Sequence, residues 1–412
     1  MPTQPYTTMR WQNYHTTWSI ILFGWLMIYT TRMVLSPCLI PIMNEFNLTH
    51  ADAGFLFTAY FYAYLTMNLP AGYLGDRIGR KKILGAGAAS WTALTFATGF
   101  SGNFLHIFIL RLLTGLGQGT YFSNDRSIIS TSTPKSKMGL GQGISMVGMG
   151  LGMALGIAAG GILAETFGWR TTFIIVALPA IPLCLMIWRW IKEPPRPPLK
   201  TEIPYRQVLR SRIVLITAAA SICIMYTHWL WATWTPTIFL EMGITELSTA
   251  AIYASLIGLS AIPGNLIIGS LSDRAARAGK GRKIIASTTF GLMALSMASF
   301  ALELQTSAPI WTMALTIFLG TFCMWGIYTT LYANLADVVP KRVYGTAFGF
   351  VNTIGFTSSI IAPWLTGWIR DTTGSFTWGC YIAVIFLAVG SIITLTIPPT
   401  FKAKTETPTK NL

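Results

Sequence analysis

Apolar residues in this chain arrive in long unbroken blocks, not at the three-and-four spacing of a half-buried helix or the alternation of a half-buried strand. The first block, WSIILFGWLMIYTTRMVLSP from Trp18 to Pro37, is long enough to cross a bilayer, because about 20 helical residues span the hydrocarbon core. Similar blocks recur, separated by short polar stretches. They predict spans at 18–40, 54–74, 83–101, 104–124, 138–164 and 169–190, then 213–239, 247–271, 284–303, 308–333, 343–367 and 377–397. The expected fold class is therefore an all-α, multi-pass membrane protein of twelve helices.

Composition agrees: of 412 residues, 52% are hydrophobic and 10% charged, which excludes a soluble domain of this length. No basic segment, short apolar run and A-x-A site occur in order near the start, so the first helix is expected to be retained. Five scattered cysteines (Cys38, Cys184, Cys223, Cys323, Cys380) lack metal-ligand spacing and read as packing residues.

A net charge of +15 changes the picture only through its distribution. Of 29 Lys and Arg, all but Arg32, Arg111, Arg170 and Arg370 fall on one side when both termini share that side. That bias predicts cytoplasmic termini and a bacterial-type inner membrane location, and it accounts for the basic residues without a nucleic-acid partner. The acids sort as well. Glu45, Asp52, Glu165, Glu241, Glu246, Glu303 and Asp371 fall outside; Asp76, Asp125, Glu193, Glu202, Asp273, Asp337 and Glu406 fall inside. The fixed charges left within the hydrocarbon zone are the guanidiniums of Arg32 and Arg111, an interior suited to an anion.

The chain divides near its midpoint at the Pro-rich, basic stretch EPPRPPLKTEIPYR, giving an expected N-terminal bundle 1–190, a linker 191–212 and a C-terminal bundle 213–412. Adding 206 to Pro134, Lys135, Gly139, Gly143, Glu165 and Gly168 lands on Pro340, Lys341, Gly345, Gly349, Asp371 and Gly374. Two six-helix bundles related by such a parallel repeat place a binding site between them near mid-membrane.

Between the second and third spans stands Gly72-Tyr-Leu-Gly-Asp76-Arg77-Ile-Gly-Arg80-Lys-Lys, echoed after span eight by Gly269-Ser-Leu-Ser-Asp273-Arg274. Glycine permits a tight turn, and Asp76 is placed to accept hydrogen bonds from a neighbouring helix N-terminus. Gly72, Asp76, Arg77, Arg80, Asp273 and Arg274 are thus gating candidates. These motifs, with the spans, the linker and Arg111-x-x-x-Gly115-x-Gly117, resemble the major facilitator superfamily over essentially the whole chain. Within it, Tyr29-Thr-Thr31-Arg32 and Arg111 with Gly115, Gly117 and Gly119 look most like the anion:cation symporter branch. That resemblance implies transport of organic anions such as sugar acids, usually with protons. It also implies coupling acids where this chain has Thr31 and Gln118, so how movement is powered becomes an open question.

Arg32 and Arg111 can each present forked donors to a carboxylate, sulfonate or phosphate. Arg111 can alternatively bond backbone carbonyls of the first span. Gln118 follows Arg111 by two turns on the same helical side and hydrogen-bonds without titrating. His228 in the seventh span is either a site residue, a proton carrier or a packed histidine, and Asp125 is a second coupling candidate. Tyr29, Tyr60, Tyr64, Tyr328, Tyr332 and Asn352 offer polar tips either to substrate or to neighbouring helices.

No phosphate-binding loop, catalytic constellation or metal spacing occurs, so neither enzymatic activity nor a cofactor is expected. The expected function is secondary transport of a small organic anion by alternating access. Its expected partners are that anion, the lipid bilayer and protons as co-substrate, with the protein monomeric. Export of an amphipathic metabolite or siderophore is the alternative, and a non-transporting membrane ligand sensor is the alternative of another class.

Overall fold

A computed structural model describes residues 11–134, 137–194, 210–339 and 344–397. Most of the linker expected at 191–212 and the basic pair Lys341 and Arg342 lie outside them. Span 1 comprises Asn13–Met33 and Leu35–Phe46; span 2 is His50–Ile78, span 3 Arg80–Thr98, and span 4 Phe104–Gly119 with Tyr121–Ser132. Spans 5 and 6 share the helix Met138–Ala177, bent at Gly168, and span 6 finishes with Ala180–Trp190. The second half repeats the series with span 7 (Arg212–Glu241), span 8 (Leu247–Leu259 and Ala261–Arg277), span 9 (Lys283–Gln305), span 10 (Ile310–Val338), span 11 (Tyr344–Thr373) and span 12 (Thr377–Leu395).

Several helices overrun the apolar blocks that announce them. A helix satisfies its own backbone groups, so nothing obliges it to stop where the hydrocarbon does. Span 2 starts at His50 because Thr49 accepts from the Asp52 amide while the Asp52 carboxylate accepts from the Thr49 amide, a reciprocal cap. Span 4 starts where the Asn103 side chain accepts from the His106 amide. Among the described residues, eight helical stretches are long and apolar enough to cross a membrane on composition alone. Spans 2, 3 and 4 are not among them: polar and small residues, such as the tyrosines of span 2 and the glycines of spans 3 and 4, dilute their apolar character.

The repeat is visible in the backbone. Gly168 and Gly374, matched by the 206-residue offset, both take positive φ, 78° and 76°, a region that favours glycine. Span 1 packs on span 5 backbone to backbone. A methyl group on Gly148 or Gly156 would lie 2.6 Å from the carbonyl oxygen of Leu22 or Thr30, and one on Gly152 would collide with that of Leu26. The two bundles meet along spans 5 and 8 and along spans 2 and 11, which are the same contact under the repeat. Leu105, Leu185, Leu266, Leu295 and Ile392 remain exposed on the outer surface, as lipid-facing positions should.

Candidate functional site

Arg32 lies fully inside the protein, 1% exposed, and the sequence around it builds its surroundings. Tyr29 precedes it by three positions on span 1, while Tyr60, Phe61 and Tyr64 approach from span 2. Its guanidinium carbon stands 4.6 Å from the Tyr29 ring centre, 5.0 Å from Tyr60, 5.8 Å from Phe61 and 5.1 Å from Tyr64. Aromatic faces offset part of the cost of burying a cation. The Gln118 side-chain oxygen offsets a further part, accepting from Arg32 Nε and Nη2 at 3.4 and 3.3 Å and from the Tyr60 hydroxyl at 2.5 Å. The Gln118 amide nitrogen donates to the Thr31 hydroxyl at 3.0 Å, and that hydroxyl donates to the Met27 carbonyl at 2.8 Å.

The amide therefore orients Arg32 as a carboxylate would, yet leaves its charge uncancelled. Arg32 Nη1 has no hydrogen-bond partner among the described residues. A buried donor on a buried cation costs free energy until an acceptor arrives, and an anionic acceptor returns most.

Arg111 does something different. Its Nη2 donates to the Arg32 backbone carbonyl at 3.4 Å, and its guanidinium carbon lies 5.1 Å from the Tyr60 ring centre. This is the span-one carbonyl contact anticipated as the alternative for Arg111. Its charge still adds to the positive interior through the shared tyrosine ring.

The opposite half reaches the site through aromatic contact. Phe61 meets Trp229 of span 7 at 4.2 Å between ring centres, and Tyr64 meets Phe356 of span 11 at 5.9 Å. His228 stacks on Trp229 at 4.8 Å and faces Trp325 and Tyr328 of span 10 at 5.8 and 6.3 Å. Neither of its ring nitrogens has a partner among the described residues, and it lies within electrostatic reach of Arg32. Arg32, Phe61, Trp229 and His228 thus form a continuous series across the two halves. Tyr328 donates to the Met225 sulfur at 2.9 Å, and Tyr332 donates to Asn352 at 3.5 Å. Tyr328 is thus a neighbour of His228, whereas Tyr332 and Asn352 pair with each other.

Asp125 sits apart, past the break at Thr120. Its carboxylate is fully buried, accepts from the Trp25 indole at 2.6 Å and pairs with Arg126 at 3.0 Å. A cavity of about 260 Å³ lined by Ala97, Phe100, Ser101, His106, Ile109 and Leu110 lies where spans 3 and 4 meet at the acid-rich end, away from Arg32.

The loop motifs behave as local clasps. Asp76 pairs with Arg80, whose Nη1 also donates to the Ser123 carbonyl at 3.2 Å and so ties the span 2–3 turn to span 4. Arg77 lies over the Tyr73 ring at 4.6 Å. Gly72 lies within the span 2 helix and not in the turn expected of it, and a Cβ there would be in ordinary contact with Ser123 of span 4; the turn itself falls at Gly79, whose φ of 126° favours glycine. The helix N-terminus anticipated for Asp76 is taken by Glu193, which accepts from the Arg80 and Lys81 amides at 2.6 and 3.0 Å. In the echo, Asp273 pairs with Arg282 at 2.5 Å, and Arg282 also binds Asp337 at 2.7 Å, while Arg274 is exposed. Arg282 was not visible as a motif residue because nine positions separate it from Asp273.

At the opposite, acid-rich end, the halves are joined directly. Glu165 at the end of span 5 accepts from the Ser248 amide that begins span 8, at 2.6 Å. Its repeat partner Asp371 at the end of span 11 accepts from the His50 and Ala51 amides that begin span 2, at 3.1 and 2.8 Å. The 206-residue offset already paired these two acids, and that pairing was the signal for the contact. Ser36 donating to the Thr233 carbonyl at 2.8 Å and Thr58 to that of Ile360 at 2.6 Å complete the closure.

Comparison with known proteins agrees with this architecture. A probable sulfoacetate transporter of Cupriavidus necator is 25% identical, covering 93% of this chain and 94% of that protein. A hexuronate transporter of Bacillus subtilis is 26% identical over 88% of this chain and 89% of its own length. The crystal structure of a bacterial homolog to the human lysosomal transporter Spinster, inward-facing and occupied, superposes with a TM-score of 0.80 at 17% identity, covering 95% and 98% of the two chains. The family profile described as Major Facilitator Superfamily matches residues 21–363 and 278–411, and the chain belongs to that family.

Proposed function

We propose that this protein is a secondary transporter that carries a small organic anion, a carboxylate, sugar acid or sulfonate, by alternating access of its two halves. The observation that carries this reading is the buried Arg32 guanidinium, held by an uncharged amide, walled by four aromatic rings and left with a free donor. Sulfoacetate and hexuronate, the substrates in the names of two relatives, belong to this chemical class and support it. Tyr29, Tyr64, Gln118 and Thr31 shape the N-terminal side of the site. His228, Tyr328 and Asn352 form the C-terminal side. Arg111 acts through Arg32 and Tyr60 by position and charge.

The proposed division is a bundle at 1–190, a linker at 191–212 and a bundle at 213–412, acting as a monomer in the inner membrane. The Lys and Arg distribution supports cytoplasmic termini, with the Glu165 and Asp371 end outside. Gly72, Asp76, Arg77 and Arg80, with Asp273, Arg274 and Arg282, work the cytoplasmic gate.

Counterflow of labelled glucuronate and sulfoacetate in liposomes tests the reading. Native protein should exchange one or both, and Arg32→Ala should abolish exchange. Unchanged exchange in Arg32→Ala sinks the assignment. Three cases stand for coupling: His228 as the proton site, Asp125 as an off-centre site, or no titrating site and thus exchange or facilitated diffusion. A pH gradient that drives uptake natively but fails in His228→Gln selects the first, and failure in Asp125→Asn selects the second. No effect of a pH gradient leaves the anion gradient as the driving force.

A further inference from the structure

His50, which the motifs passed over, stands at the seam between the halves. It opens the helix of span 2 in the first half, ahead of that span's apolar block at 54–74, yet both ring nitrogens face carboxylates of the second: Nε2 to Glu241 at 3.1 Å and Nδ1 to Asp371 at 2.7 Å. A carboxylate oxygen accepts and does not donate, whereas a neutral imidazole has one donor and one acceptor. Two hydrogen bonds to two carboxylates therefore require hydrogen on both nitrogens, the imidazolium form.

We propose that His50 is a proton-binding site of the closed acid-rich end, and that the bound proton locks the two halves together there. The surrounding charges are consistent. Glu241 ends span 7 and also accepts from Arg370 Nε at 2.9 Å, while Asp371 and Arg370 end span 11. Asp52 on the His50 helix is engaged by Thr49, and Phe376, just before span 12, faces the imidazole with its ring at 5.8 Å. Trp234 of span 7 covers the imidazole at 5.7 Å. Burial alone would lower the His50 pKa, but the hydrogen bonds and charges of Glu241 and Asp371 outweigh it and raise it above its ordinary value.

The sign follows. When the halves part at this end, His50 leaves both carboxylates and binds its proton less tightly. Closure is favoured fully below the open-form pKa, and the advantage is lost as pH rises through the closed-form pKa. On the proposed orientation the proton comes from outside, so external acid holds the outer gate shut and external alkali releases it. The Glu165 to Ser248 contact joins the same end through a backbone amide, which does not titrate in this range.

The test needs no substrate, so its outcome is separate from that of the transport reading. Nitroxide labels on Leu105→Cys and Trp311→Cys, exposed at the acid-rich ends of spans 4 and 10, report the outer separation by pulsed electron resonance. The five native cysteines are first replaced. From about pH 5 to about pH 8.5, the native ratio of closed to open forms should fall about fivefold. His50→Gln should remain near the alkaline ratio at both pH values, and His50→Lys, a permanent cation, near the acidic one. A native ratio that does not respond to pH overturns the proposal. So does a response that persists in His50→Gln.

Discussion

Replacing Gln118 by Glu changes one atom type and reverses the electrostatics of the site. The side-chain oxygen already lies 3.4 and 3.3 Å from Arg32 Nε and Nη2, so the new carboxylate needs no rearrangement to bind it. At an effective dielectric constant of about 20, unit charges about 3.3 Å apart attract by about 5 kcal/mol, which cancels most of what Arg32 offers a ligand. An anion docked on the Nη1 side would sit about 5.5 Å from the new charge and be repelled by about 3 kcal/mol, a loss of about two orders of magnitude in affinity. Binding of glucuronate and sulfoacetate, measured by calorimetry on purified protein across pH, reads this directly. Native binding should vary little between neutral and mildly acidic pH. Gln118→Glu should bind weakly at neutral pH and recover as the medium becomes acidic enough to protonate it. Gln118→Leu separates charge from orientation: it should lose affinity at every pH alike. If Gln118→Glu binds as the native protein does at neutral pH, the view of Gln118 as a charge-free holder of Arg32 is wrong.

Gly156→Leu should destabilise the fold by about 1–3 kcal/mol, seen as a lower thermal transition in detergent, because its Cβ would meet the Thr30 carbonyl at 2.6 Å. Gly349→Ala, which meets nothing within 4 Å, should leave the transition nearly unchanged. Glu165→Gln and Asp371→Asn each weaken one helix-end contact across the halves, by about 0.5–1 kcal/mol, and together should raise thiol labelling at the acid-rich end more than either alone. Equal labelling of the double variant and the native protein would show that apolar packing of spans 2, 5, 8 and 11 closes this end unaided.

Hydropathy revealed the spans because a bilayer imposes one strong requirement, a long apolar helix, on each of them. Arg32 was legible for the same reason, as the exception to that requirement. Gln118 was legible through its two-turn spacing from Arg111, and its partner Thr31 by being next to Arg32. The contacts that sequence did not show are those between residues far apart in the chain. His50 meets Glu241 and Asp371 across separations of 191 and 321 residues, and no local pattern marks such a meeting. Arg282 replaced Arg274 as the partner of Asp273 for a similar reason: reach and direction of a long side chain on the following helix decide the pair, not adjacency. Glu193 capped the third span in place of Asp76 because Asp76 was already held by Arg80, four residues on along the chain. The helices overran their apolar blocks because caps such as Thr49 with Asp52 set the ends chemically, after the hydrocarbon has ceased to matter.

The contacts of Glu165 and Asp371 stand on opposite sides of the pseudo-twofold, one on span 8 and the other on span 2. A single fastening would leave the two halves able to swivel about it like a door on one pin. Two fastenings fix an axis, so while both hold, the easy motion left is a rocking about the line between them, which opens the opposite end. The duplicated half therefore does more than supply six further helices: it turns a flexible joint into a hinge with a defined direction.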